Sequence, residues 1–176
     1  MTFAHEFSVI LARGIDGETR FWDSPVNVHE GGILATSSLP PPRMILAQQE
    51  AARALMTSIA DALDYVGVLT GEFFATDDGP VFNEMAPRVH NSGHWTIEGA
   101  AASQFANHIR AVAGLPLGDT AAPRLPVTMR NLSGRDIDGV PALLADGACH
   151  LHHYGKAEVR AGRKLGHATW VGTEPA

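Results

Sequence analysis

Residues Glu72–His94 read EFFATDDGPVFNEMAPRVHNSGH, and this stretch decides how the rest of the chain is understood. Two runs rich in aromatic and β-branched residues flank Asp77-Asp78-Gly79, a composition that favours a tight turn between antiparallel strands. The sequence therefore predicts a strand over Tyr65–Thr76, a turn at 77–79 and a return strand over Val81–Met85. Pro87 ends the return strand because it has no amide hydrogen to donate. With the loop centred on Asp78, cross-strand partners have numbers that sum to 156, and Glu72 and Glu84 satisfy this. Directly opposed residues share a sheet face with Cβ atoms about 4.5–5.5 Å apart, where like charges repel. A cation between them would relieve the repulsion, and Mg²⁺ commonly takes one or two carboxylates. A register shifted by one residue would instead put the acids on opposite faces, and both could also simply face water. Asp77 and Asp78 suit the turn better than a metal.

The loop that follows, APRVHNSGH, is dense in polar chemistry. Arg88 offers a forked, permanent positive charge suited to carboxylate or phosphate oxygens. His90, Asn91 and Ser92 add donors and acceptors. One loop histidine is usually solvated or structural. Four polar groups directly after an acid pair point to an anionic substrate beside a metal.

Moving outward, Phe3–Arg13 reads as a strand, Asp16-Gly17 as a hairpin turn and Glu18–Trp22 as the returning strand. NVHEGGILATSSL is interrupted at Gly31-Gly32 and stops at Pro40-Pro41-Pro42. Met44–Leu63 has helical periodicity, with Ala52, Leu55, Met56, Ile59 and Leu63 on one face, as expected of a helix covering a sheet. Thr96–Val112 reads as a second helix with Ile97, Ala101, Phe105, Ile109 and Val112 on one side. Gly118–Pro126 has linker composition. Beyond it come three short strands, Val127–Leu132, Ala148–Tyr154 and Leu165–Val171, and a short helix at Pro141–Ala145. The expected class is α+β, an antiparallel sheet with covering helices followed by a small β-rich domain. The expected divisions are 1–117, a linker over 118–126, and 127–176.

Composition narrows the function. The chain has 176 residues, 45% of them apolar, enough for a sizeable core. A net charge of −6 argues against a nucleic-acid partner. No apolar run is long enough to span a bilayer, and no signal peptide is visible. The single cysteine, Cys149, excludes an internal disulfide and a cysteine zinc cage, which fits a cytoplasmic setting. His150 and His152 would share one face of a strand and His153 the other, with no acid in sequence to complete a zinc site. GKAEVRAGRK gathers Lys156, Arg160, Arg163 and Lys164 in an acidic protein; it is either a local anion site or a solvated basic turn.

The segment GVLTGEFFATDDGPVFNEMAPRVHNSGHWTIEGAAASQFANHIRAVAGLPLG resembles the ATP-grasp domain of the N5-carboxyaminoimidazole ribonucleotide synthetase family. HNSGHWT is its discriminating string: a related formate-dependent transformylase family has aspartate and threonine where Asn91 and Ser92 stand. EFSVILARGIDGETRFW and NVHEGGIL resemble earlier strands of that domain, and HLHHYGKAEVRAGRKLGH resembles the family's small C-terminal domain. The resemblance covers essentially the whole chain, with two departures: His153 where an aromatic residue is frequent, and Ala161 where proline is common.

The resemblance implies the C-terminal half of an ATP-grasp domain plus that small domain, in a ligase of purine biosynthesis. ATP and bicarbonate would form carboxyphosphate, which carboxylates 5-aminoimidazole ribonucleotide. Glu72 and Glu84 match acids that hold Mg²⁺ on the ATP phosphates. Arg88 matches an arginine at the transferred phosphoryl group. His90, Asn91 and Ser92 match residues around bicarbonate and the ribonucleotide, so that Arg88, His90 and Asn91 would be catalytic. Lys156 and Arg163 match the pair on the ribonucleotide phosphate. Longer members are expected to be homodimers. The glycine-rich lid and the adenine-binding hinge of the family have no counterpart in these residues, so no turnover is expected from this chain alone.

Overall fold

The computed structural model describes residues 2–175. Nine strands form one sheet: β1 (His5–Arg13), β2 (Thr19–Phe21), β3 (Val26–Glu30), β4 (Ile33–Leu39), β5 (Gly67–Thr76), β6 (Gly79–Ala86), β7 (Val127–Ser133), β8 (Cys149–His153) and β9 (Lys164–Val171). Their order is β6-β5-β1-β3-β4-β7-β9-β8, with β2 also paired to β1, and the observed strand pairs are antiparallel. The helices are α1 (Arg43–Ala62), α2 (Thr96–Gly99), α3 (Gln104–Val112) and α4 (Val140–Ala145). The α+β expectation stands. No helix among the described residues is long and apolar enough to cross a membrane.

The core follows from β1. Phe7, Val9 and Leu11 join Ile45, Ala52, Met56 and Ala60 of α1 on one face of the sheet. Ile10 and Ala12 point the other way, to Trp22, Trp95 and Ala111. A strand apolar on both faces belongs in the centre of a covered sheet. Burial of Met56 and Ile45 contributes about 2 kcal/mol each and fixes α1 over β5. Gly71 of β5 permits that approach, since a Cβ there would run into the Met56 sulfur and meet Phe73 Cε2 at 2.8 Å. The β3–β4 hairpin turns on Gly31 and Gly32, whose φ of +57° and +77° give the backbone twist that a two-residue hairpin loop needs.

Two helix faces differ from the periodicity. On α1 the buried line is Ile45, Ala52, Met56 and Ala60, while Leu55 is exposed and Leu63, just past the helix, is 54% exposed. The inner face mixes large Ile45 and Met56 with small Ala52 and Ala60, so periodicity weighted to large apolar residues misplaces it. The predicted helix over 96–112 is two helices. Ser103 breaks it: its hydroxyl accepts from Ala106 N at 3.2 Å and caps α3. The inner residues of α3 are Gln104, Asn107 and Ala111, whereas Phe105, Val112 and the 62%-exposed Ile109 face outward. Polar work on the inner face, described below, overrides the hydrophobic pattern.

β7 pairs with β4 through Thr36↔Arg130 to Leu39↔Val127, so the strands after the linker extend the same sheet. Leu132, Leu143, Ala168 and Trp170 form a third apolar cluster there.

Candidate active site

The β5–β6 hairpin does pair Glu72 with Glu84, but by a different route from the one anticipated. The turn is two residues, Asp77 and Asp78, closed by Thr76↔Gly79. Partners near it sum to 155, as in Phe73↔Phe82. The register shifts between Glu72 and Phe73, where Asn83 is an extra residue in β6. Without that bulge Glu84 would fall opposite Gly71 and leave the face of Glu72.

The two acids open onto a cavity of ≈ 430 Å³. β5 and β6 give Glu72 and Glu84, and the β3–β4 hairpin gives His29 and Gly32 to Leu34. The loop after β6 adds His90 and Asn91; Gly162 and Lys164 arrive from the distant β9 end. Glu72 is partly buried, and burial followed by repulsion from Glu84 and Glu6 pushes its pKa upward against the pull of His29 and Lys164. Glu84 is exposed and makes no ion pair among the described residues. Two adjacent carboxylates short of counter-charge are a hard oxygen donor set that fits a divalent cation such as Mg²⁺.

His90 is held from three sides. Ser92 N donates to His90 Nδ1 at 3.3 Å, and Ser92 Oγ lies 2.9 Å from the same nitrogen. An amide can only donate, so Nδ1 is an acceptor and the ring hydrogen sits on Nε2, which is 3.4 Å from Glu72 Oε1. Burial, then the positive charges of Arg88 and Lys164, pull the His90 pKa down to about 4. At neutral pH the ring is an uncharged donor pointed at the cavity. Gln104 grips the backbone of His90: its Oε1 accepts from His90 N at 2.9 Å and its Nε2 donates to His90 O at 2.6 Å. The same Nε2 lies 3.1 Å from His94 Nδ1. Gly93 lets this clamp close, as a Cβ there would meet Gln104 Oε1 at 2.6 Å.

The other sequence-derived candidates take varied positions. Asn91 lines the cavity, with Nδ2 buried and unpartnered among the described residues. Ser92 is fully buried behind His90. Arg88 is exposed; its Nη1 donates to Val89 O at 2.9 Å, and it does not line the cavity. Lys156 Nζ donates to Lys164 O at 2.8 Å, and Arg163 Nη1 is 3.1 Å from Glu158 Oε2.

Sequence reasoning missed a second polar cluster. His152 Nε2 is 2.6 Å from Glu98 Oε1, an acid supplied by α2, and Tyr154 Oη is 2.7 Å from His167 Nδ1. Glu98, His152 and His167 bring potential metal-ligand atoms within 4.8 Å of one another, so His152 does have an acid beside it. The imidazoles are stacked, however, at 4.5 Å with an 11° interplanar angle. Their in-plane lone pairs run side by side instead of converging on one ion. The group acts as a joint between α2 and β8–β9. His94 continues it, 5.0 Å from His167. No sequence signal links Glu98 to His152, since they are 54 positions apart. Another concavity of ≈ 350 Å³, lined by Gly14 to Asp16, Glu18 and Gly114 to Leu117, has two acids and no cation or imidazole.

Comparison with known proteins bears on this site. Residues 1–105 match the ATP-grasp domain, and residues 127–176 match the phosphoribosylaminoimidazole carboxylase C-terminal domain. The chain is similar to the N5-carboxyaminoimidazole ribonucleotide synthase of Brucella melitensis, 53% identical over 170 residues, covering 96% of this chain and 46% of that protein. It also resembles the crystal structure of the synthetase from Thermus thermophilus (TM-score 0.88, 49% identity, 97% of this chain and 47% of that one). The Aspergillus clavatus enzyme, crystallised with ADP and 5-aminoimidazole ribonucleotide, is similar at a TM-score of 0.87 and 32% identity, over 97% of this chain and 48% of that one. The chain thus spans about half the length of the curated relatives it matches.

Proposed function

We propose, from the premise that this chain belongs to the ATP-grasp family of ATP-dependent ligases and is similar throughout to N5-carboxyaminoimidazole ribonucleotide synthases, that it forms the metal and substrate side of a site carboxylating 5-aminoimidazole ribonucleotide. The observation that carries the reading is the opposition of Glu72 and Glu84 across from the His90 ring, in one cavity. In the reaction, bicarbonate oxygen attacks the γ-phosphorus of ATP, and ADP leaves. The ribonucleotide amine then attacks the carboxyl carbon of carboxyphosphate, a C–N bond forms, and phosphate departs with the electron pair of the broken C–O bond.

Glu72 and Glu84 would hold Mg²⁺, which when bound neutralises charge on the phosphoryl group in transit. The protein's own contribution is positioning and fixed dipoles. Neutral His90 donates from Nε2 to a bicarbonate oxygen, and the unpartnered Asn91 Nδ2 is a second donor to the same small anion. Ser92 keeps His90 in the required tautomer. Arg88 leaves the Val89 carbonyl to meet the phosphoryl oxygens. Lys156 and Arg163 receive the ribonucleotide phosphate, Arg163 exchanging Glu158 for it. In this scheme residues 1–117 supply the metal side and residues 127–176 the phosphate grip, joined by 118–126, although their strands share one sheet. The assembled enzyme is a cytoplasmic homodimer.

The chain spans about half the length of its relatives, and in this reading turnover requires the nucleotide-clamping lid and hinge that the family resemblance implies. The test measures phosphate release by the 176-residue chain with MgATP, bicarbonate and ribonucleotide, alongside calorimetry with the ribonucleotide. Binding that Arg163→Ala weakens, without turnover, is the expected result. Absence of ribonucleotide binding overturns the proposal, and bicarbonate-dependent turnover overturns the requirement for a second half. A purely ligand-binding role is favoured by the same half-length match; turnover restored by adding the missing half of a relative would exclude it.

A further inference from the structure

The corner where the chain turns from β4 into α1 holds a cleft of ≈ 220 Å³ that shares no lining residue with the Glu72–Glu84 cavity. Four segments close it: the loop after β2, the prolines after β4, the first turns of α1 and the end of the 118–126 linker. Leu39, Leu46 and Leu125 supply its apolar walls. Leu39 is anchored in the core, whereas Leu46 and Leu125 are each 47% exposed. Two half-exposed leucines bordering one concavity leave apolar surface that a ligand would remove from water. Polar side chains join them. Ser24 is fully buried, and its hydroxyl has no hydrogen-bond partner among the described residues. A buried hydroxyl left unpaired is costly, and one bordering a cleft can be paired by what enters. Asp23, beside it, is exposed and its carboxylate makes no ion pair among the described residues. Gln49 also borders the cleft, while its neighbour Gln48 is turned to Thr76 O. The cations of α1 stay out of it: neither Arg43 nor Arg53 lines the cleft, and Arg53 is held by Glu50 and by Trp22 O.

We propose that this cleft is a separate binding site for a small primary amine with a single-ring apolar body, whose ammonium meets Asp23, Ser24 and Gln49 while the ring lies among the leucines. Small-molecule sites combine apolar walls with a few placed polar groups. An ammonium carries donors and no acceptor. The cleft answers it with a carboxylate, a hydroxyl oxygen and an amide oxygen. An anion entering the same space would meet Asp23 and find no cation. Size sets the apolar body: a cavity of roughly 150 Å³ holds benzene, so this one takes a ring with a short aminomethyl arm. The site stands apart from the carboxylation reading, and neither depends on the other.

The test titrates benzylamine into the nitrogen-15-labelled 176-residue chain at fixed pH and ionic strength and follows the backbone amide shifts. The amides of Asp23, Leu46, Gln49 and Leu125 should move on one saturating curve, while that of His90 stays in place. Asp23→Asn should weaken benzylamine by about threefold or more, a modest factor because the carboxylate is exposed. Benzyl alcohol keeps the ring and lacks the charge, so it should bind wild type more weakly than benzylamine and be indifferent to Asp23→Asn. Ser24→Ala should lower the amine affinity without lowering the melting temperature, since the hydroxyl has no protein partner to lose. Shifts that are absent, or scattered and unsaturating, overturn the site. Equal benzylamine affinity in wild type and Asp23→Asn, or benzyl alcohol binding as tightly as the amine, overturns the ligand class. A Ser24→Ala chain that melts lower and binds benzylamine as wild type does makes the serine structural and overturns its place in the site.

Discussion

Acid should unfold this chain well before its carboxylates are neutralised, and the joint between α2 and β8–β9 is the reason. Burial pulls the His167 pKa down from 6.5 to about 3, and pulls His94 down from 6.5 to about 4, with Lys164 and His152 adding to the effect on His94. Folding thus holds both rings neutral where the unfolded chain would protonate them. The unfolded state binds more protons between the two sets of values, so stability is complete above pH 6.5 and declines as pH falls toward 4. Going from pH 7 to pH 5 removes about 1.8 kcal/mol per histidine by proton linkage, and with His90, which burial likewise pulls down to about 4, the three rings together lose about 5.5 kcal/mol. Glu72 works in the opposite sense: its raised pKa favours the folded state in acid and offsets part of the loss. Against a total stability of about 5–15 kcal/mol, the net effect is large. It corresponds to a fall in melting temperature of about 11–22 °C for a chain of this size. Urea denaturation followed by tryptophan fluorescence suits the measurement, since Trp22, Trp95 and Trp170 are all buried. The midpoint should drop by roughly 2–3 M between pH 7 and pH 5. His167→Phe keeps a ring in the stack and removes one of three comparable titrations, so it should lose about a third of that pH dependence. A midpoint insensitive to pH in wild type, or an unaltered slope in His167→Phe, would refute the reasoning.

Two further outcomes follow from the site. Glu72→Gln removes a like-charge cross-strand pair and should raise the stability of the metal-free chain by about 0.2–1 kcal/mol; it should also abolish any rise in melting temperature on adding MgCl₂, read by thermal scans with and without the salt. Gln104→Leu deprives both backbone groups of His90 and the His94 ring of their partner, and should cost about 3 kcal/mol or more. Hydrogen exchange at the His90 amide should accelerate far more than in α1, which the same variant leaves untouched.

The strands were legible because their hydrophobic runs and Gly or Pro boundaries are local signals. Phe3–Arg13 became β1 and the Gly31-Gly32 interruption became a hairpin turn. The helix faces were less legible. Periodicity picks out large apolar residues, and here Leu55, Phe105 and Ile109 face outward while alanines, Gln104 and Asn107 face in. Nothing in a hydrophobic pattern marks Gln104 as a clamp or Ser103 as the break before it. The acid pair was anticipated through two departures that cancelled: a turn one residue shorter than assumed, and an extra residue at Asn83. Turn length and bulges both shift register by one, so a sum of residue numbers cannot separate them. Glu98, His167 and Lys164 were out of reach because their partners are set by the long-range meeting of β9 with β5, β6 and α2.

The Asn83 bulge has a consequence for how this molecule behaves in a crowded solution. β6 is an outer strand of the sheet, and Val81, Phe82 and Met85 on it are exposed. A straight, apolar border of that kind invites another chain to add a strand. A register without the bulge would put Glu84 opposite Gly71 and give an even ladder of unpaired amides and carbonyls along the rim. The irregularity that places the acid therefore also spoils the template for self-association, and one residue serves both the chemistry and the colloidal stability of the chain.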